Sequence, residues 1–316
     1  MRLPYLVILV SLVACGGQDL TATQACTDVS QDRCMQLATC SAADLSKRWT
    51  DLASCEDREK LACLEAQAAP KTAATPATVE ACANALTTQA CDAFLSGVAS
   101  PAECLPHMGP IANGAACSTA AQCASGFCAV ATTALCGTCA DQPVAGASCA
   151  TSRCGPTMVC VKSTMQCQVP VAANGTCSAA QPCGQGLACV GAMPSVSGTC
   201  TAQVASIGAA CDSRRVTAPD CNGAAGLACD ATTDQCVTQP VVPAGMPCGV
   251  INRVDVACAA GATCTGTGTA KTCVAPAADG AACDTAAGPD CEFPARCVPT
   301  GTGTAGVCSL PGSTSC

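Results

Sequence analysis

Thirty-five of the 316 residues are cysteine. Thiols at roughly this density, about 11%, belong to scaffolds held by disulfides in an oxidising compartment, and they exclude an ordinary cytosolic enzyme. The apolar half of the composition changes nothing, because alanine and cysteine supply most of it. Leu, Ile, Val and Phe reach only about 15% of the chain, and the aromatics number one Trp, one Tyr and three Phe. At that level a chain without cross-links stays disordered, so sulfur bridges must supply the order that aliphatic burial supplies elsewhere. A formal charge of −8 and a pI near 4.5 leave no basic surface for nucleic acid.

Met1 and Arg2 precede an apolar stretch from Leu3 to Ala14. That is the length of a signal peptide and too short to span a bilayer. Its end, Leu12-Val13-Ala14-Cys15, resembles the bacterial lipobox, which implies cleavage before Cys15 and a diacylglycerol on its thiol. Removing Cys15 leaves 34 cysteines, an even number, as full pairing requires. Gly16 in place of Asp resembles lipoproteins sorted to the outer membrane. Residues 1–14 are therefore read as a lipoprotein signal peptide, 15–21 as a lipidated anchor and linker, and the membrane as a partner through that lipid.

Residues 22–108 are helical in composition and carry eight cysteines: Cys26, Cys34, Cys40, Cys55, Cys63, Cys82, Cys91 and Cys104. At 100° per residue, Cys26, Val29, Leu37 and Cys40 share one face, with Cys34 at its edge. Thr75-Pro76 reads as an N-cap followed by Pro at the first helical position, opening a helix with Val79, Cys82 and Leu86 on one side. The expectation is a cross-linked bundle of three to five short helices, with Trp49 as its largest packing residue.

From residue 109 the chain repeats in six units, about 114–145, 146–173, 174–207, 208–244, 245–279 and 280–316. Their cysteines are Cys117, Cys123, Cys128, Cys136 and Cys139; Cys149, Cys154, Cys160 and Cys167; Cys177, Cys183, Cys189 and Cys200; Cys211, Cys221, Cys229 and Cys236; Cys248, Cys258, Cys264 and Cys273; and Cys283, Cys291, Cys297, Cys308 and Cys316. The second-to-third interval is nearly constant and the third-to-fourth varies most. Gly or Asn stands three residues before each opening cysteine, where a positive φ is expected. Strands in such units can only be short hairpins. The fold class is thus small and disulfide-rich: a cross-linked helical region, then an elongated array of short hairpin and loop modules.

Four cysteines allow three pairings, and spacing leaves them open. Interlocked first-to-third and second-to-fourth bonds are preferred, each closed loop of 10 to 20 residues contributing about 3 kcal/mol through the unfolded chain. A fifth thiol of the first unit, within Cys136-Gly-Thr-Cys139, and Cys316 of the last are left over in the array; each region can still close on itself, or Cys316 can pair between chains.

The run Cys82-Ala-Asn-Ala-Leu86, Cys91, Cys104, Asn113-Gly-Ala-Ala-Cys117, Gln122-Cys123-Ala-Ser-Gly-Phe-Cys128 and Cys136-Gly-Thr-Cys139 resembles the cysteine-rich lipoproteins abundant in myxobacteria, often described as carrying a Dickkopf N-terminal-like cysteine-rich region. The resemblance implies location and architecture, and no activity.

Catalytic constellations are sparse. His107 is the sole histidine, which removes multi-His zinc sites, and no GxSxG, Walker A or dinucleotide motif occurs. Cys136-Gly-Thr-Cys139 has redox spacing but lies in a Gly/Ala/Thr loop rather than at a helix N-terminus. The CxC and CC pairs of metallothioneins are missing. Asp220, Asp230, Asp234, Asp284 and Asp290 lack the pattern of a calcium loop, and Asn174-Gly-Thr176 reads as a turn. No catalytic residue, metal site or cofactor is expected. The functional expectation is a non-enzymatic, lipid-anchored ectodomain of the cell envelope, at the outer membrane and facing periplasm or exterior, that contacts protein or matrix or acts as a spacer. The alternatives are a protease inhibitor built on disulfide modules and, further off, a thiol-disulfide oxidoreductase.

Overall fold

The computed structural model describes residues 20–96, 100–150, 154–155, 157–268, 270–312 and 316. The expected signal peptide and the expected lipidation position Cys15 lie outside the described residues.

Five helices open the chain: α1 (Ala22–Cys40), α2 (Ala42–Arg48), α3 (Leu52–Ala68), α4 (Pro76–Leu86) and α5 (Cys91–Ser96). Each of the first four starts on an oxygen-bearing side chain that accepts from a backbone N–H one turn on: Thr21, Ser41, Asp51 and Thr75. Pro76 follows Thr75 at the first helical position, as the sequence reads. The bundle buries Val29, Cys82, Ala83 and Leu86, with Val79, Phe94, Cys63 and Cys104 against them. Such a face is thin for five helices, and four disulfides reinforce it. Cys26–Cys63 and Cys34–Cys55 bind α1 to α3, Cys40–Cys91 binds α1 to α5, and Cys82–Cys104 binds α4 to the short turn after it.

The six modules share one plan. A strand carrying the third cysteine pairs antiparallel with a strand carrying the fourth, so that Cys128 faces Cys139, Cys160 faces Cys167, Cys189 faces Cys200, Cys229 faces Cys236, Cys264 faces Cys273 and Cys297 faces Cys308. Directly opposed residues share a face of the hairpin, yet these sulfurs are not bonded to each other. The third cysteine bonds back to the first, in Cys117–Cys128, Cys149–Cys160, Cys177–Cys189, Cys211–Cys229, Cys248–Cys264 and Cys283–Cys297. The fourth bonds back to the second, in Cys123–Cys139, Cys154–Cys167, Cys183–Cys200, Cys221–Cys236, Cys258–Cys273 and Cys291–Cys308. Two stacked cystines therefore form the interior of every module. In the fourth module, for instance, Cys211, Cys221, Cys229 and Cys236 make a cluster completed by Leu227.

The Gly or Asn three residues before each opening cysteine has positive φ in all six modules, from 64° at Asn174 to 91° at Gly114. The conformation turns that residue's N–H onto the carbonyl of the module's fourth cysteine, from Gly114 to Cys139 at 2.8 Å through to Gly280 to Cys308 at 2.7 Å. The fourth cysteine's N–H returns to the carbonyl one residue further on. A feature the sequence reading missed lies just upstream: Ile111, Val171, Val204, Val242 and Ala277 each bridge in parallel to their module's second cysteine. The linkers thus tie each module at its second cysteine, outside the hairpin strands, and the signal was the Pro-Ile or Pro-Val pair at Pro110, Pro170 and Pro240.

The small disulfide-rich fold class stands, and the course of the array is the correction. It does not extend away from the helices. Neighbouring modules touch through Ser163 to Ala179, Gly191 to Arg215, Ala231 to Arg253 and Thr263 to Asp290. The sixth then reaches the first, where the Arg296 guanidinium donates to the carbonyls of Ala134 at 2.9 Å and Ala131 at 3.4 Å. Cys136–Cys316, with a sequence separation of 180, seals that contact within one chain. Modules that each bury at most one Val, Leu or Ile expose too much surface to stand apart, and curving back onto the helices covers part of it. Trp49 is also relocated: it is absent from the helical core and stacks edge to face on Phe293 of the sixth module, ring centres 6.0 Å apart.

Candidate functional site

The functional geometry concentrates on the seam between the helices and the returning array. Helix α2 is seven residues long and both its ends are completed by modules. At its start the Ser41 hydroxyl accepts from Asp44 N–H and donates to the Ala224 carbonyl. At its end the orphan carbonyls of Ser46 and Lys47 accept from Ala260 N–H at 2.9 Å and Gly261 N–H at 2.7 Å. Ala260 and Gly261 have φ of 54° and 71°, which aims two successive N–H groups at the helix terminus. A Cβ on Gly261 would stand 3.1 Å from the Arg48 carbonyl, so this position takes no larger residue without loss.

Further along, Arg58 on α3 grips the sixth module. Its guanidinium holds both Asp279 oxygens at 2.8 Å and donates to the carbonyls of Glu292 and Phe293. That pairing holds the Asp279 carboxyl below its usual range and raises Arg58 further. The first module is fixed by Gln122, only 3% exposed, which donates to the Pro70 carbonyl at 2.7 Å while its own oxygen accepts from Ser118 and Thr119 N–H.

Between α2, α3 and modules five and six lies a cleft of about 660 Å³, walled by Trp49 and Phe293. Glu59 borders it, and burial raises its carboxyl against the attraction of Arg33 and Arg48. A smaller cavity of about 300 Å³ under α1 and α3 is bordered by Arg33, Glu59 and the exposed His107. His107 has no hydrogen-bond partner among the described residues.

The other residues singled out from sequence have structural work. Cys136 is bonded to Cys316 and Cys139 to Cys123, so the CxxC is not a dithiol couple. Three sulfurs of several modules, such as Cys117, Cys123 and Cys128, lie within 4.8 Å of one another, but each is held in a cystine and offers no thiolate to an ion. Asp230 and Asp284 accept from turn N–H groups, Asp220 pairs with Arg215 at 3.0 Å, and Asp290 accepts from Thr263. Asp234 sits at φ 52° in its hairpin turn and Asn174 at φ 64°. One such staple was missed: Asp212 accepts from the N–H groups of Arg214, Val216 and Thr217 and from the Thr217 hydroxyl, which lowers it to about 2. An Asp directly after a cysteine, opening a nine-residue interval to Cys221, was the available signal.

No protein-family model, curated protein or solved structure matches the chain. Seventeen disulfides are the chemistry of an oxidising, extracytoplasmic compartment. No helix among the described residues is long and apolar enough to cross a membrane.

Proposed function

We propose that this is a lipoprotein of the cell envelope, carried on the outer membrane by an acylated Cys15, whose ectodomain is a non-enzymatic scaffold for contacts with protein or matrix. The observation that supports this best is the closed circuit of modules. Interiors made of cystine leave loops and hairpin tips facing outward on a frame that resists distortion, which suits recognition better than spacing. The resemblance to myxobacterial cysteine-rich lipoproteins points the same way.

Mass spectrometry of membrane-extracted protein tests the anchor: a diacylglyceryl mass on a peptide beginning at Cys15 is expected, and a free thiol there would overturn it. Photo-crosslinkers at Met193 and Val250, both exposed, test the scaffold in intact cells. Discrete adducts support it, and their absence from both positions counts against it. Protease inhibition is the weaker reading, because the exposed dibasic pair Arg214-Arg215 bends through a φ of 58° at Arg215 rather than offering extended, substrate-like backbone.

A further inference from the structure

We propose that the cleft at Trp49 binds a neutral saccharide. The inference does not rest on the scaffold reading above, since a glycan could be held by a protein with or without protein partners.

The cleft combines three properties. Its walls include Trp49 and Phe293, two of the few aromatic rings in the chain, brought together from positions far apart in sequence. Rings of this kind present a flat apolar face to the C–H side of a pyranose and, in tryptophan, an N–H donor at the edge. The Trp49 indole N–H has no hydrogen-bond partner among the described residues, and Trp49 remains partly exposed.

Its charges cancel. Lys47, Arg48 and Arg58 on the border are matched by Asp57, Glu59 and Glu292. An anionic ligand would meet the three carboxylates and a cationic one the three bases, so neither is favoured over a neutral molecule.

Its polar groups are divided between those already committed and those still available. Arg58 is engaged by Asp279 and Lys47 by the Gly223 carbonyl and Asp44. The side chains of Asp57 and Thr50 form no hydrogen bond among the described residues, and Arg48 forms none beyond its attraction to Glu59. A planar donor, a planar acceptor and a hydroxyl beside an aromatic face match the alternating donor and acceptor demands of vicinal hydroxyls. A volume of about 660 Å³ lies within the range of small-molecule sites.

Trp49 is the sole tryptophan, so its emission reports the cleft directly. The intact ectodomain is titrated with a panel of neutral oligosaccharides: β-1,4-glucan, α-1,4-glucan, β-1,4-linked N-acetylglucosamine and mannan trimers to hexamers. Sulfated and uronic-acid oligosaccharides and an apolar dye serve as comparisons. A saturable change in Trp49 emission with at least one neutral oligosaccharide is expected, with binding weakened about tenfold in Asp57→Ala, an exposed residue whose loss leaves the fold intact, and abolished in a Phe293→Ala, Asp57→Ala double variant that retains native disulfides by mass mapping. The proposal is overturned by no saturable response across the neutral panel, by a response to charged sugars or the dye alone, or by unchanged affinity in Asp57→Ala.

Discussion

The helical region and the array carry the same chemistry in different proportions. In the helices, disulfides reinforce an aliphatic core around Val29 and Leu86. In the modules the disulfides are the core, and backbone geometry at one positive-φ residue does the positioning. The same bond therefore matters differently in the two places: it sits beside other packing in one region and replaces it in the other.

The largest expected effect of this difference is under strong reductant. Amide exchange should become fast throughout residues 114–312, while α1 and α3, of 19 and 17 residues with intact caps, keep weak but measurable protection. Protection surviving in the hairpins but not in the helices would reverse the comparison.

Single bonds come next. Replacing Cys123 and Cys139 by Ala, separated by 16 residues, is expected to cost about 3 kcal/mol and to unfold the first module locally. Replacing Cys34 and Cys55 should cost a similar amount while α1 and α3 stay folded, as read by exchange mapping of each variant. Leu86→Ala, at a site 3% exposed, is expected to destabilise the helices by about 2–4 kcal/mol in denaturant titration. Arg58→Ala should cost only about 1 kcal/mol, because the ion pair is partly solvated, yet it should loosen the seam, seen as a red shift of Trp49 emission.

The smallest effect separates the regions by pH. Asp212, Asp230, Asp279 and Asp284 in the array are all lowered, by N–H donors or by Arg58. Their contribution is present above the unfolded carboxyl pKa and fades as pH falls, for Asp212 through about 2. Asp32, Glu59 and Glu80 in the helices are all raised, chiefly by burial. They favour folding below the unfolded carboxyl pKa, and that contribution is lost as pH rises through their folded values. Acidification from neutrality should first firm the helical amides and then weaken the module turns, and parallel curves in both regions would refute the assignment. Glu80→Gln should flatten the helical curve.

Much of the modular plan was legible in the cysteine pattern because it is local. Separations of 11 to 18 residues within a module and a glycine at fixed offset leave few geometries open. Thr75-Pro76 was legible for the same reason. The return of the array was legible only as a surplus: counting left one thiol of Cys136-Gly-Thr-Cys139 and Cys316 over, but nothing local chose between a bond 180 residues long and one between chains, and Arg296 looks like any surface cation until its carbonyl acceptors are known. The cleft was equally hidden: Trp49 and Phe293 meet only because α2 ends against Ala260 and Gly261, a contact made by backbone groups that every sequence possesses. Side-chain pattern records local demands, whereas this seam is written in main-chain atoms.

The Cys136–Cys316 bond has a consequence for how such a molecule is made. Each module can be oxidised as soon as its own short stretch has left the translocation channel, but Cys136 must wait for 180 more residues, with Cys139 as a tempting neighbour. A chain cut short anywhere in that interval emerges with an unsatisfied thiol in its first module. Quality control that recognises free sulfhydryls could then tell a copy lacking Cys316 from one that has it without inspecting the rest of the fold.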